Sequence, residues 1–328
     1  MAENAKKILL SGVKPTGRPH IGNYFGAMRQ FVELSNQYQV YAMIADYHAL
    51  IDVRDAKTLQ QDTLDLAIDY LAIGLDPEKV VLFKQSDVPE HTELTWIFNC
   101  LVTVPYLQRA HAYKDAVAKE KEVNVGLFEY PILMAADILM HDPDVVPVGE
   151  DNRQHIEMTR EIAEKFNHHY GETFKSPKEL ILPGVKTVPG IDGRKMSKSY
   201  NNHIPLFSED AEIKKLVMSI VTDSKGVEEV KDSEKDNVFA LHKLFSTETE
   251  LQELARRYKE GKIGYKESKE LLANKIIAFV EPLREKRNKL KESPDYVLDI
   301  LKKGGEKARA NAKVKMETVR EKIGLKLY

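Results

Sequence analysis

Lys195-Met196-Ser197-Lys198-Ser199 sets two ammonium groups three residues apart, with two hydroxyls among them. A basic segment of this kind, following a glycine-bearing loop, can track a polyphosphate as charge develops on it. Electrostatic stabilisation of that sort is often the largest catalytic contribution. A solvated basic turn has the same composition. A second candidate is Pro15–Asn23 (PTGRPHIGN), between a short apolar run and a helical pattern. A helix start offers unpaired N–H groups and partial positive charge, which suit an anion. Gly17 and Gly22 would let backbone approach a bulky nucleotide, and His20 can donate to phosphate oxygens. A capped loop with an ordinary surface histidine fits the same residues. Neither G-x-G-x-x-G nor G-x-x-x-x-G-K-[ST] occurs, so the loop speaks for neither a dinucleotide fingerprint nor a P-loop. The third candidate is Asp137, alone in the apolar stretch Ile132–Met140. A carboxylate there needs a partner, either a nearby Arg or Lys or a hydrogen-bond donor.

These residues must be positioned by alternating elements. Ile8-Leu9-Leu10, Val40–Ala45 and Val80–Phe83 read as buried strands. Helical patterns follow each, from about His20 to Leu34, Leu59 to Ile73 and Glu93 to Cys100. Strands alternating with such helices imply βαβ units and a parallel sheet, with ligands at the C-terminal strand ends. The stretch 104–186 reads as mainly helical. Within it, Val145–Val148 is a brief apolar run ending in Gly149-Glu150-Asp151, and Asn152 to Phe166 reads as a helix. A last strand is expected near Val185–Val188, and beyond 210 Lys, Glu, Leu and Ala give helical periods. The expected fold is α/β. A Rossmann-like parallel-sheet nucleotide-binding domain (1–103 and 187–209) carries a helical insertion (104–186) and is followed by an all-α C-terminal domain (210–328).

Composition agrees with a globular chain. Of 328 residues 42% are hydrophobic and 30% charged, which excludes extensive disorder. A net charge of −2 confines any nucleic-acid surface to local patches; 301–328, with nine Lys/Arg against three Glu, is one. That stretch reads as a basic helix, either simply solvated or touching a phosphate backbone. The single cysteine, Cys100, excludes an intramolecular disulfide, a Cys-rich zinc site and a protein-ligated Fe–S cluster. His168-His169 lacks the spaced partners a metal needs. Trp96 and Cys100 read as core or interface. No signal-peptide pattern or long apolar run occurs, so a soluble cytoplasmic protein is expected.

Taken together, Pro15–Asn23 resembles the HIGH-type signature of class I aminoacyl-tRNA synthetases in its HIGN variant, and Lys195–Ser199 matches KMSKS in full. Tyr130–Leu139 (YPILMAADIL) is similar to the amino-acid pocket of the tryptophanyl branch. So are Val146–Asp151 and the following Gln154, His155, Ile156, Glu157 and Arg160. The resemblance runs from about residue 8 to about 225. Asn152 stands where the branch more often has glutamine, and Lys14 replaces a frequent glutamine.

The resemblance implies a tryptophan–tRNA ligase. The tryptophan carboxylate attacks the α-phosphorus of ATP, pyrophosphate leaves, and the adenylate passes its acyl group to tRNA(Trp). His20, Asn23, Lys195 and Lys198 would be the catalytic set. Lys14, Pro15, Thr16, Gly22, Asn23, Gly149, Glu150, Asp151, Val188, Lys195, Met196, Ser197, Lys198 and Ser199 would contact ATP. Tyr130, Met134, Asp137, Val146, Val148 and Asn152 would form the tryptophan pocket. There Asp137 accepts the indole N–H, although a phenol could donate to it as well; Met134-Ala135-Ala136 is what leans the match toward tryptophan. Mg2+ would arrive with ATP, with no tightly bound metal, and a homodimer is implied with its interface in the middle region. The helical domain would read the anticodon. The alternatives are a tyrosyl-tRNA synthetase, a cofactor-making nucleotidyltransferase (whose family has the HxGH-type loop without KMSKS), and a non-catalytic RNA-binding paralogue. The intact His20, Asp137, Lys195 and Lys198 argue against the last.

Overall fold

Ile8–Val13 (β1) forms the middle of a five-stranded sheet because Leu9 and Leu10 are buried from both sides. Its neighbours are Gln39–Ile44 (β2), Val80–Lys84 (β3), Val145–Pro147 (β4) and Lys178–Leu180 (β5), in the order β3-β2-β1-β4-β5. Every pairing is parallel; Ile8 lies opposite Gln39, Val40 opposite Val80, Leu9 opposite Val145 and Val145 opposite Lys178. This is a computed structural model, and it describes residues 6–118, 122–149, 153–180 and 188–328.

The helices in chain order are α1 (Ile21–Asn23), α2 (Arg29–Leu34), α3 (Asp46–Ala49), α4 (Ala56–Ala72), α5 (Glu90–Asn99), α6 (Val104–Leu107), α7 (His111–Ala118), α8 (Val125–Met140) and α9 (Arg153–Tyr170). They continue as α10 (Asp210–Met218), α11 (Asn237–Phe245), α12 (Glu248–Lys259), α13 (Tyr265–Lys291) and α14 (Pro294–Lys322). Local chemistry starts several of them. Asp55 accepts from Thr58 N–H to cap α4, and Asn124 from Leu127 N–H to cap α8, both at 2.8 Å. Thr247 and Glu250 make a reciprocal capping box on α12.

The chain forms two compact units. The first comprises Met1–Gly17, Phe31–Pro183 and Ser293–Tyr328; the second comprises Arg18–Gln30 and Gly184–Glu292. The first is the sheet with its helices. Its main core joins Met43, Val81 and Phe83 of the sheet to Leu94 and Phe98 of α5, Ala135 and Leu139 of α8, and Ile162 and Phe166 of α9. Ala308, Ala312, Met316 and Val319 of α14 complete it. The second unit is helical. In it α10 and α11 pack on α13, and Tyr24, Phe25, Phe245 and Phe279 make a cluster of edge-on and stacked rings.

The parallel α/β architecture is as expected, but these units cut the chain differently from the three-part division read from the sequence. From Arg18 onward, the end of the loop after β1 and the helix that follows cluster with the helical unit. The basic C-terminal helix clusters with the sheet, because every third or fourth residue of α14 is small or apolar and buried. Three of its cations are committed there: Arg309 to Glu90 at 3.1 Å, Lys315 to Asp142 at 2.5 Å and Arg320 to Glu93 at 2.5 Å. The strand expected near Val185–Val188 falls mostly outside the described residues, and Val188 itself is not in a strand. The fifth strand is Lys178–Leu180, too short and too polar to stand out. Trp96 is 71% exposed and Cys100 is exposed, so neither is core.

Gly304 sits where α14 presses on the outer strand. A Cβ there would stand 1.8 Å from the carbonyl oxygen of Leu82. In an exposed helix Gly→Ala stabilises by about 1 kcal/mol. Here Gly304→Ala is expected to destabilise by about 2 kcal/mol or more, since backbone must move. Urea unfolding checks it, and an unchanged or raised midpoint would disprove the close contact.

Candidate active site

In the helical unit, the turn before α1 is built around His20. Its backbone N–H donates to Asn23 Oδ1 at 3.1 Å, and Asn23 N–H donates back to its Nδ1 at 3.2 Å. This reciprocal cap fixes the tautomer: with Nδ1 accepting, the ring hydrogen of neutral His20 is on Nε2. Burial, then the neighbouring His203 and Lys198, push its pKa down to about 4, so the ring is uncharged at neutral pH and is a donor rather than a cation. Ile21 N–H donates to the carbonyl of Ile204, and Leu206 N–H to that of Pro19, which ties the turn to the segment after Lys198.

Residues 188–202 form the second loop. Met196 N–H donates to the Val188 carbonyl at 2.9 Å, and Gly190 N–H to that of Arg194. Gly193 has φ +83°, a conformation that favours glycine. Inside sits Asn202, 2% exposed. Its Nδ2 donates to Asp192 Oδ1 at 2.7 Å and to the Lys195 carbonyl at 3.1 Å, and its Oδ1 accepts from Ser197 N–H at 2.8 Å. Met196 is buried, whereas Lys195, Lys198 and Ser199 are exposed. The two loops meet: Gly22 N–H lies 3.4 Å from Met196 Sδ, and a Cβ on Gly22 would stand 2.9 Å from His20 Nδ1 and 3.3 Å from Met196 Cβ. Packing of this chain's own side chains thus already accounts for glycine at 22.

The sheet unit holds a cavity of about 250 Å3 at the C-terminal ends of β1, β2 and β4. Leu10, Met134, Ile138, Val146 and Val148 give it apolar walls, and His48, Tyr130 and Asp137 give it polar groups. It is a little below the usual range of roughly 300–1,000 Å3 for ligand pockets, a size for one small molecule. Asp137 is 2% exposed. Burial alone would raise its pKa, but hydrogen bonds from His48 and His91 outweigh this and hold it well below the usual carboxylate range. His48 Nε2 lies 2.8 Å from Oδ2, His91 Nδ1 lies 2.5 Å from Oδ1, and Gln85 Nε2 donates to both oxygens at 2.8 and 2.9 Å. The Gln85 amide cannot turn round, because its Oε1 accepts from the N–H groups of Tyr47 and His48. Three donors thus make four contacts, two on each oxygen, about as many as a carboxylate has lone-pair directions. Tyr130 OH lies 2.6 Å from His155 Nε2, and burial pushes its pKa up to about 12.

The candidate residues therefore fall in two places. His20, Gly22, Asn23, Val188 and Lys195–Ser199 lie together in the helical unit. Tyr130, Met134, Asp137, Val146 and Val148 gather around the cavity in the sheet unit, where Lys14 also lines it while pairing with Asp52 at 2.6 Å. In that unit Pro15 is buried, Thr16 is exposed, and Gly149 follows β4 at the surface. Glu150, Asp151 and Asn152 lie outside the described residues. The sequence reading missed His48, Gln85 and His91. Gln85 follows β3 directly and His48 lies in α3 just past β2, and polar residues near the C-terminal ends of parallel strands were the signal available.

Residues 2–281 match the family model for class I tRNA synthetases (W and Y). A tryptophan–tRNA ligase of Fusobacterium nucleatum is 50% identical over 317 residues, covering 96% of this chain and 97% of that protein. One of Rhodopirellula baltica is 46% identical, covering 97% and 99%. The crystal structure of Campylobacter jejuni tryptophanyl-tRNA synthetase, complexed with ADP and tryptophan, superposes with a TM-score of 0.91 at 45% identity, covering 97% of this chain and 99% of that one.

The depressed pKa of His20 has a linkage consequence. Between pH 6.5 and about 4 the unfolded chain binds a proton that folded His20 does not, so stability falls as pH drops through that window. His20→Asn is expected to lose less stability than the wild type between pH 7 and 4.5, measured by urea midpoints; equal losses would contradict a neutral buried ring. Separately, Asn202→Ala strips three hydrogen bonds from the 188–202 loop. It is expected to cost about 1–3 kcal/mol and to speed amide exchange at 195–199. Unchanged exchange there would show that the loop is held by other contacts.

Proposed function

This chain belongs to the class I tRNA synthetases of the tryptophan and tyrosine group and, within it, to the bacterial tryptophan–tRNA ligases, and from that premise we propose which of its residues perform each step. It joins tryptophan to tRNA at the expense of a nucleotide. ATP enters with Mg2+ on its phosphates as the substrate form. His20 donates its Nε2–H to a phosphate oxygen, and Asn23 holds the imidazole in that tautomer. Lys195 and Lys198 neutralise charge as the bond to pyrophosphate breaks. The attacking nucleophile is the tryptophan carboxylate, and the terminal ribose hydroxyl of the tRNA then takes the acyl group. No covalent enzyme intermediate forms, so the protein contributes position and charge stabilisation.

The observation that carries this reading is the meeting of the two loops at Gly22 and Met196, distant in sequence and side by side in space. It is supported by the cavity lined by Asp137, an acceptor-only carboxylate whose chemistry matches a donor-only indole N–H. Met134, Val146 and Val148 supply apolar walls for the rings, and Tyr130 sits beside His155 at the polar side. Pro15, Thr16, Gly22, Gly149 and Val188 contribute backbone contacts to ATP in this proposal. Glu150, Asp151 and Asn152 are assigned to nucleotide and amino-acid ammonium on the resemblance alone. The helices of 210–292 are assigned to tRNA, and the middle region to a homodimer interface. Exposed Trp96, Val104, Val117 and Val125 support the latter. Among the described residues no helix is long and apolar enough to cross a membrane; we propose a cytoplasmic enzyme.

Tryptophan-dependent exchange of labelled pyrophosphate into ATP tests the whole assignment; exchange with tyrosine and none with tryptophan would refute it. Lys195→Ala is expected to lower kcat by about 10²–10³ with little change in the KM for tryptophan. Asp137→Ala is expected to raise the tryptophan KM far more than the ATP KM. An unchanged tryptophan KM would remove Asp137 from the pocket.

A further inference from the structure

Asp137 is joined to a line of groups that the reaction itself does not use. His91 is fully buried on α5 and meets Asp137 through Nδ1. Its Nε2 lies 3.2 Å from Nε2 of His141, and His141 Nδ1 lies 2.9 Å from Oδ1 of Asn311 on α14. His141 is held flat, stacked on Tyr41 with ring centroids 5.0 Å apart and edge-on to Phe83. Four residues further along α14, Lys315 pairs with Asp142, so one face of this helix grips two successive residues at the end of α8. All of these groups lie in the sheet unit.

The hydrogens on the line can be counted. Ionised Asp137 only accepts, so His91 Nδ1 carries one. A single hydrogen sits between the two facing Nε2 atoms. Asn311 decides the rest. With its carboxamide oxygen toward His141, Nδ1 of His141 is a donor, the two rings hold three hydrogens, and one is an imidazolium. With the amide reversed, Nδ1 accepts and both rings are neutral. Burial, then His91, pushes the His141 pKa down to about 3, which disfavours a charge on that ring.

We propose that Asn311 is a positioning residue of the amino-acid pocket: through His141 and His91 it fixes the charge and direction of Asp137. The proposal rests on the reading of Asp137 as the acceptor of the indole N–H. It makes a residue of the C-terminal helix, with no place in the cavity lining, a determinant of tryptophan binding.

The test is pyrophosphate exchange by the full chain, with tryptophan and ATP varied separately. Asn311→Leu is expected to raise the tryptophan KM about tenfold while kcat and the ATP KM move by less than about twofold, the size of effect typical of one coupled buried contact. His141→Phe, which suits the ring sandwich and breaks the line elsewhere, is expected to give the same split. Asn311→Asp keeps an acceptor oxygen and is expected to restore the wild-type tryptophan KM. In the Asp137→Asn background, Asn311→Leu is expected to add nothing further. An unchanged tryptophan KM in both Asn311→Leu and His141→Phe overturns the proposal. So does an effect that adds in full to Asp137→Asn, or one shared equally by kcat and ATP, which marks a packing defect. If Asn311→Leu fails to give a cooperative thermal melt, His141→Phe and Asn311→Ala decide on the same criteria. Should Asp137→Asn alone leave the tryptophan KM unchanged, the reading of Asp137 is wrong, an outcome separate from failure of the Asn311 coupling.

Discussion

A carboxylate removed from water constrains more of this molecule than any other single group. Left alone, Asp137 would take up a proton and lose its value as an acceptor, because desolvation disfavours the charged form. Three donors prevent that, and each imposes a demand on the fold. His48 must leave the end of β2 through the short helix α3. Gln85 must leave the end of β3 with its amide oxygen pinned by two backbone N–H groups. His91 must enter from α5. Asp46 reinforces the arrangement by accepting from Ser86 N–H and from the Ser86 hydroxyl, which joins the ends of β2 and β3. Keeping one buried carboxylate ionised thus requires three elements to be in register.

The His20 turn and the 188–202 loop obey a different logic. Their exposed lysines carry charge, but their shape comes from uncharged, buried groups. Asn202 acts from inside the basic loop, and Met196 closes it against Gly22. The imidazole of His20 is held neutral so that it offers a hydrogen rather than a charge. Positive charge is left to the exposed lysines, and shape to the buried amide and imidazole.

Much of this was readable from residue order. The three strands before residue 90 announce themselves as short apolar runs, and the helices after 210 by their period. Lys195–Ser199 and Pro15–Asn23 stand out because their types are tied to phosphate chemistry. Asp137 stands out because it interrupts an apolar stretch. What escaped the reading has physical causes. Lys178–Leu180 joins the sheet through backbone groups that any sequence possesses. His48, Gln85 and His91 act through contacts 46–89 residues apart in the chain, which no local pattern records. The basic charge of α14 suggested a solvated or RNA-facing helix. Its small residues, Gly304, Ala308 and Ala312, carried the opposite message, that one side of the helix is pressed against the sheet.

That close seat of α14 also bears on the order of events during synthesis. Glu90 and Arg309 are 219 residues apart, and Glu93 and Arg320 are 227 apart. All five strands leave the ribosome well before the helix that completes their core. For that interval the growing polypeptide presents the apolar groups that α14 will cover, and contacts of such long range form slowly. The helical unit, whose segments from 184 to 292 emerge in between, has its own core and need not wait. The two units are thereby given different schedules, with the core beneath α14 the later of the two to reach its final form.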